Sequence, residues 1–258
     1  VNYISEKRKL SGEKFSSYTN VLAQLSVTYM IAFLLMRKPV IWQIIVSFAL
    51  LIFTDVIYQV WPVEGFNQPF TADHNFGSWL DIQLTGQLSE DRWVAFNAIP
   101  TSAHTIWGVL TGKLLMSNWP SRKKIMTLVI PGLAAVITGY ALHPFIPIIK
   151  RLCTSSFVIV SGGWCLLALA FSYWLIDVKN IKKPAFFFAF VGMNPLFIYL
   201  FVHSGGKNML TNLILPITYR LFSWVSLDAV HVVNILTVSL MLWYICYYMY
   251  KKKVFIRI

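Results

Sequence analysis

Apolar residues fall along this chain in blocks of about twenty, parted by short polar stretches, and blocks of that length predict membrane-spanning helices. The first, about 20–36 (NVLAQLSVTYMIAFLLM), is closed by Arg37, Lys38 and Pro39. The second, about 40–60, ends at Trp61 and Pro62. A polar segment, 62–94, follows and holds five of the ten acids: Glu64, Asp73, Asp81, Glu90 and Asp91. The third helix is expected over about 98–116, with Pro100 in the first turn, where a missing N–H costs little. Further helices are expected at about 125–146, 153–176, 185–203 and 229–250.

Segment 208–227 is apolar but interrupted by Pro216 and Arg220, and charge decides whether it crosses. With seven spans, one side receives twelve cations: Arg37, Lys38, Arg122, Lys123, Lys124, Lys179, Lys182, Lys183, Lys251, Lys252, Lys253 and Arg257. The other keeps five, Arg92, Lys150, Arg151, Lys207 and Arg220, besides the N-terminal tail. That asymmetry obeys the positive-inside rule and makes the C-terminus cytosolic. An eighth span would break it, so 208–227 is expected to lie along the outer interface. The expected fold is all-α: one polytopic transmembrane domain over 1–258, with about seven spans, one interfacial helix and the outer polar loop 62–94. The tail residues Lys7, Arg8, Lys9 and Lys14 then fall outside, and the chain opens at Val1 with no signal peptide. Both features are expected of a chain preceded by further spans.

Composition agrees: 57% of residues are hydrophobic, 12% are charged and mean hydropathy is +0.63. A net charge of +12 would suggest nucleic acid on a soluble protein. Here the cations sit in short clusters between apolar blocks, so orientation explains them and nucleic acid is set aside. Cys153, Cys165 and Cys246 are odd in number, form no CxxC and fall in or beside apolar segments, which makes them packing residues.

The third helix carries the clearest chemistry. Thr101, His104, Thr105, Gly108 and Gly112 follow helical spacing along one face, and Asn97 stands just before it. The Gly108–Gly112 pair forms GxxxG, which predicts close approach of another helix. The polar half is either a hydrogen-bonded helix contact or the wall of a cavity in which His104 exchanges protons near neutrality. Lys150, Arg151, Thr154, Ser155 and Ser156 make a polar entrance to the fifth helix, either an interfacial cap or a seat for an anionic or hydroxylated substrate. Asp55 is the one acid well inside a span. Asn194 precedes Pro195, which should leave the Val191 carbonyl without its helical partner and kink the sixth helix. Asp73, His74 and Asn75 lack the ligand spacing of a metal site, and no metal is expected.

Certain motifs occur in a telling order: VLAQLSVTYMIAFLL at 21–35, NAIPTSAHTIWGVLTGKLL at 97–115 and PIIKRLCTSSFVIVSGGW at 147–164. WLIDVKNI at 174–181, GMNPLFIYL at 192–200, the terminal YKKKVFIRI and the loop WPVEGF complete the series. Together they resemble the heparan-α-glucosaminide N-acetyltransferase family, with its bacterial members, over nearly the whole chain.

The resemblance implies a membrane acyltransferase that moves an acetyl group from cytosolic acetyl-CoA to an amine or hydroxyl of a sugar on the outer side. It implies a bacterial inner-membrane location, a glycan or amino-sugar acceptor, and Lys150, Ser156, Asp177 and Asn194 as matches to family motif letters. The family's catalytic histidine lies upstream of the matched segments. No histidine here corresponds to it, which leaves His104 as the weak candidate in this chain; Gln24 stands where the family usually has arginine. Acetyl-CoA carries several negative charges, so Lys113, Arg122, Lys123, Lys124, Lys179, Lys182 and Lys183 are its expected rim. Besides the lipid bilayer and the acceptor, a homodimer stays open as a partner. A transporter or flippase of cell-envelope sugars, or a non-catalytic membrane scaffold, is the other reading.

Overall fold

The computed structural model describes residues 21–89 and 91–255. Lys7, Arg8, Lys9, Lys14, Glu90 and Arg257 lie outside the described residues. Every element among the described residues is helical. Four helices, Val40–Val60, Ser121–Leu142, Ser155–Val178 and Leu227–Lys251, are long and apolar enough to cross a membrane, and a bent pair makes a fifth if it counts as one span. Large side chains such as Ile52, Ile137 and Phe171 lie exposed along them, as expected of surfaces facing lipid rather than water. The described residues are thus all-helical and of the integral-membrane type.

The backbone packs as two compact units, Val1–Trp174 and Leu175–Ile258. The first begins with α1 (Val21–Leu35) and α2 (Val40–Val60). The expected outer loop contains a short helix, α3 (Phe76–Thr85). Asn75 caps it by accepting from the Ser78 N–H at 3.0 Å, and Gly86, at φ 74°, ends it. A 3-10 turn, Ala95–Asn97, leads into α4 (Ala98–Met116), which packs on both α1 and α2. An extended hairpin follows, α5 (Ser121–Leu142) with α6 (Ser155–Tyr173), and a π turn continues α6 over Trp174–Val178.

Two expectations change here. The fourth helix starts four residues early, because Arg122, Lys123 and Lys124 form its first turn after Pro120 instead of preceding it. Close helix approach is not at Gly108 and Gly112, where an added Cβ would meet nothing within 4 Å. It lies between α5 and α6, where a Cβ on Gly163 would stand 2.8 Å from the Gly132 carbonyl oxygen. GxxxG states only that a helix has a smooth face; the α5–α6 hairpin is where two such faces meet.

The 62–94 segment is folded, not merely polar. Tyr58, Phe76, Val94, Phe96 and Leu152 form a buried core, with Trp61 and Trp79 packed against it. Phe76 and Phe96 meet edge-to-face at 4.8 Å, a favoured aromatic geometry. This cap closes over the start of α4.

The second unit holds α7 (Lys183–Met193), α8 (Pro195–His203), α9 (Gly206–Phe222) and α10 (Leu227–Lys251). The sixth helix, expected over 185–203 with a kink at Pro195, is two helices bent by 66° at Asn194. Pro195 has no N–H for Val191, but the Val191 carbonyl is not left free: the Asn194 N–H reaches it at 3.3 Å.

Candidate functional site

The polar residues of α4 meet the N-terminus of α6 and the loop before it. Thr101 Oγ1 accepts from Gln24 Nε2 at 2.8 Å and donates to Cys153 Sγ at 3.1 Å, linking α1, α4 and that loop. One turn earlier, buried Asn97 donates through Nδ2 to the Arg151 carbonyl at 3.4 Å, while its Oδ1 has no partner among the described residues. Cys153 is held at φ 52°, a left-handed conformation that non-glycine residues take up at a cost, and it turns the chain sharply into α6.

His104 lies one turn below Thr101. Its Nε2 is 2.9 Å from the Val158 carbonyl and 3.1 Å from Ser161 Oγ. A carbonyl only accepts, so the ring carries a proton on Nε2. Trp107 stacks edge-on against the imidazole at 5.8 Å and donates to Ser47 Oγ. Gly162 makes room for this contact, since a Cβ there would run into the Trp107 ring. Thr105 is only half-buried.

The entrance to α6 is buried. Thr154, Ser155 and Ser156 are all under 5% exposed. Thr154 Oγ1 donates to the Pro147 carbonyl at 2.8 Å and lies 3.2 Å from Ser156 Oγ. Ser155 Oγ donates to Asp55 Oδ2 at 2.5 Å, and the Ser155 backbone N–H bonds the same carboxylate. Asp55 therefore receives two donors at the α6 N-terminus, an end of the helix whose dipole favours a carboxylate. Of the residues expected here, the charged Lys150 is exposed beside the Trp93 ring, 5.9 Å from its centre.

By sequence, Asp81 of the cap is only a loop acid. In the fold it is buried and accepts from the Ala95 N–H at 2.9 Å, holding the 3-10 turn that carries Asn97. Burial pushes its carboxyl up to about 6, against the lowering effect of the Ala95 bond. Asp73 pairs with Arg92 at 3.7 Å, His74 Nδ1 lies 2.9 Å from the Gly65 carbonyl, and Asn75 is the α3 cap, so each of these three has a structural task.

At the opposite end of α4, Lys113 Nζ donates to the Met36 carbonyl at 2.5 Å and Lys124 Nζ to the Leu115 carbonyl at 2.6 Å. Both amines neutralise helix C-termini. Lys123 stacks on Trp119 at 3.8 Å, and Arg122 is exposed. Lys179, Lys182 and Lys183 are exposed residues of the second unit. Asn194, also of that unit, is fully buried and donates to the Val254 carbonyl at 3.4 Å.

Among the described residues the first unit thus offers an unpaired amide oxygen at Asn97, which suits a ligand bearing a hydroxyl or amine donor. No protein-family model matches the chain, and no curated protein matches it.

Proposed function

We propose that this chain forms the binding bundle of a membrane-embedded acyltransferase that passes an acetyl group from cytosolic acetyl-CoA to a sugar amine or hydroxyl on the outer side. The observation that carries the reading is Asn97 Oδ1, buried and unpaired, at one end of a helix whose other end bears cations. Leaving a buried acceptor unmet costs about 1–3 kcal/mol, a cost that a ligand's N–H or O–H removes. Along α4, sixteen residues or about 24 Å separate Asn97 from Lys113, close to the thickness of the hydrocarbon core. Arg122 and Lys123 at that far end suit the phosphates of a CoA donor.

In this reading the protein crosses the inner membrane of a bacterium seven times, with the 62–94 cap outside and the C-terminus in the cytosol. The support is the charge asymmetry of the loops. The imidazole that takes the acceptor's proton comes, by family resemblance, from outside these 258 residues. His104 is a positioning residue, its Nε2 engaged by Val158. The test is glucosamine binding to the reconstituted protein, expected for the natural sequence and lost in Asn97→Ala; binding unchanged by Asn97→Ala contradicts the assignment.

The broken helix at Asn194 favours a second reading, a transporter of envelope sugars, since discontinuous helices form transport sites in many carriers. Sugar uptake into vesicles without acetyl-CoA separates the two.

A further inference from the structure

The bent helix pair of the second unit and the helix after it compete for one crossing. Straight, α7 and α8 would reach the thickness of a bilayer core, about 30 Å. Bent by the observed 66°, their greatest combined rise is about 25 Å, no more than that of α9, so packing and charge decide which of them crosses.

α7 packs along the C-terminal third of α10: Phe187 stacks on Trp243 at 4.7 Å, the Phe186 ring lies 6.0 Å from Tyr250, and Asn194 Nδ2 reaches the Val254 carbonyl. Between them, Phe190 packs on both Trp243 and Tyr250.

The two helices after α8 complete the path. A turn of four residues, 223–226, joins α9 to α10, and the two helices pack together, so they run antiparallel. The start of α9, Gly206, therefore points back toward the lysine-bearing end of α10. Seventeen residues make α9 about 25 Å long, enough to cross with modest thinning of the bilayer.

We propose that Lys183–His203 is a re-entrant element that enters and leaves on the side of Lys251–Lys253, resting on anionic phospholipid headgroups there, and that Gly206–Phe222 is the sixth span. It rests on the membrane reading but not on acyl transfer. The number of spans stays seven, and the C-terminus keeps its side. Moving Lys207 across sharpens the asymmetry from twelve against five to thirteen against four. The occupant is set by charge and shape: Lys182 and Lys183 are exposed at the start of α7, followed by exposed Phe186, Phe187 and Phe188. Lysines beside aromatic rings suit a helix at the headgroup level of an acidic leaflet.

Two measurements on the full chain test this. An epitope inserted after exposed Ser204 should be reached from the same side as the C-terminus; if the insertion disturbs folding, maleimide labelling of Ser204→Cys gives the same information. Either probe facing the opposite side overturns the re-entrant path. For the lipid, a bimane on Phe188→Cys in a Cys165→Ser background leaves the two buried thiols untouched. Brominated phosphatidylglycerol should quench it more than brominated phosphatidylcholine at equal mole fraction. The preference should be roughly fivefold and fall away in the double variant Lys182→Gln, Lys183→Gln. Quenching that ignores the headgroup overturns the anionic seat.

Discussion

Thr101 Oγ1 donates to Cys153 Sγ at 3.1 Å, tying the first turn of α4 to the left-handed residue that turns the chain into α6. The same hydroxyl accepts from Gln24, so one oxygen holds three segments together. Removing it leaves the Gln24 amide without this acceptor. Thr101→Val should lower stability in mixed-micelle unfolding by about 1 kcal/mol, the scale of interhelical hydrogen bonds in membranes, and Thr101→Ser should restore most of it. An unchanged unfolding midpoint in Thr101→Val removes this role.

The glycines divide into two kinds. Gly163→Ala places a Cβ 2.8 Å from the Gly132 carbonyl oxygen and should cost about 1–3 kcal/mol by overpacking. Gly112→Ala meets nothing within 4 Å and should be neutral or slightly stabilising, since alanine is the better helix former. Equal losses at both positions would restore Gly108–Gly112 as the helix contact.

The cap should respond to mild acid through Asp81. Its folded carboxyl is raised to about 6, above the ordinary aspartate value, so the folded state holds the proton more tightly than the unfolded state. Stability from this group is therefore fully present below about pH 4 and is lost as pH rises to about 6, beyond which the penalty is constant. The penalty at neutral pH is on the order of 3 kcal/mol. Asp81→Asn keeps an oxygen for the Ala95 N–H and should stabilise the cap at pH 7 but not at pH 4. Hydrogen exchange at Ala95 across that range reads it; equal protection of both forms at pH 7 would contradict a buried, proton-holding Asp81.

Binding at Asn97 should depend on its oxygen rather than its size. Asn97→Leu should abolish glucosamine binding measured by titration calorimetry in nanodiscs, while Asn97→Asp, which keeps an acceptor, should retain part of it. Loss in both variants with folding intact would point to the amide N–H bonded to Arg151 instead.

The membrane class and the place of α2 and α4 were legible because spanning length and the Pro100 position are local signals. So was the inward set Thr101 and His104, polar residues one turn apart in an apolar run. The cap was not: Phe76, Trp79 and Leu80 keep a helical period for only ten residues, Tyr58 and Phe96 join them from other elements, and the acids around them read as solvated loop. Asp55 could be seen as a lone acid, but its partner Ser155 is 100 residues away, beyond any spacing rule. Pro195 signalled the kink, and the helix breaks there; the size of the 66° angle has no local signal.

Acetyl-CoA binding tests the proposed donor most directly. Radiolabelled acetyl-CoA is offered to the 258-residue protein in sealed vesicles of each orientation, with Arg122→Gln, Lys123→Gln as the comparison. Weak, saturable binding is expected only where the C-terminus faces the ligand, weakened by the double substitution, with no acetyl transfer to glucosamine by this chain alone. Absence of saturable binding from either face would contradict an acetyl-CoA donor. Full transfer that disappears in His104→Ala would contradict the role given to His104 and make it the catalyst.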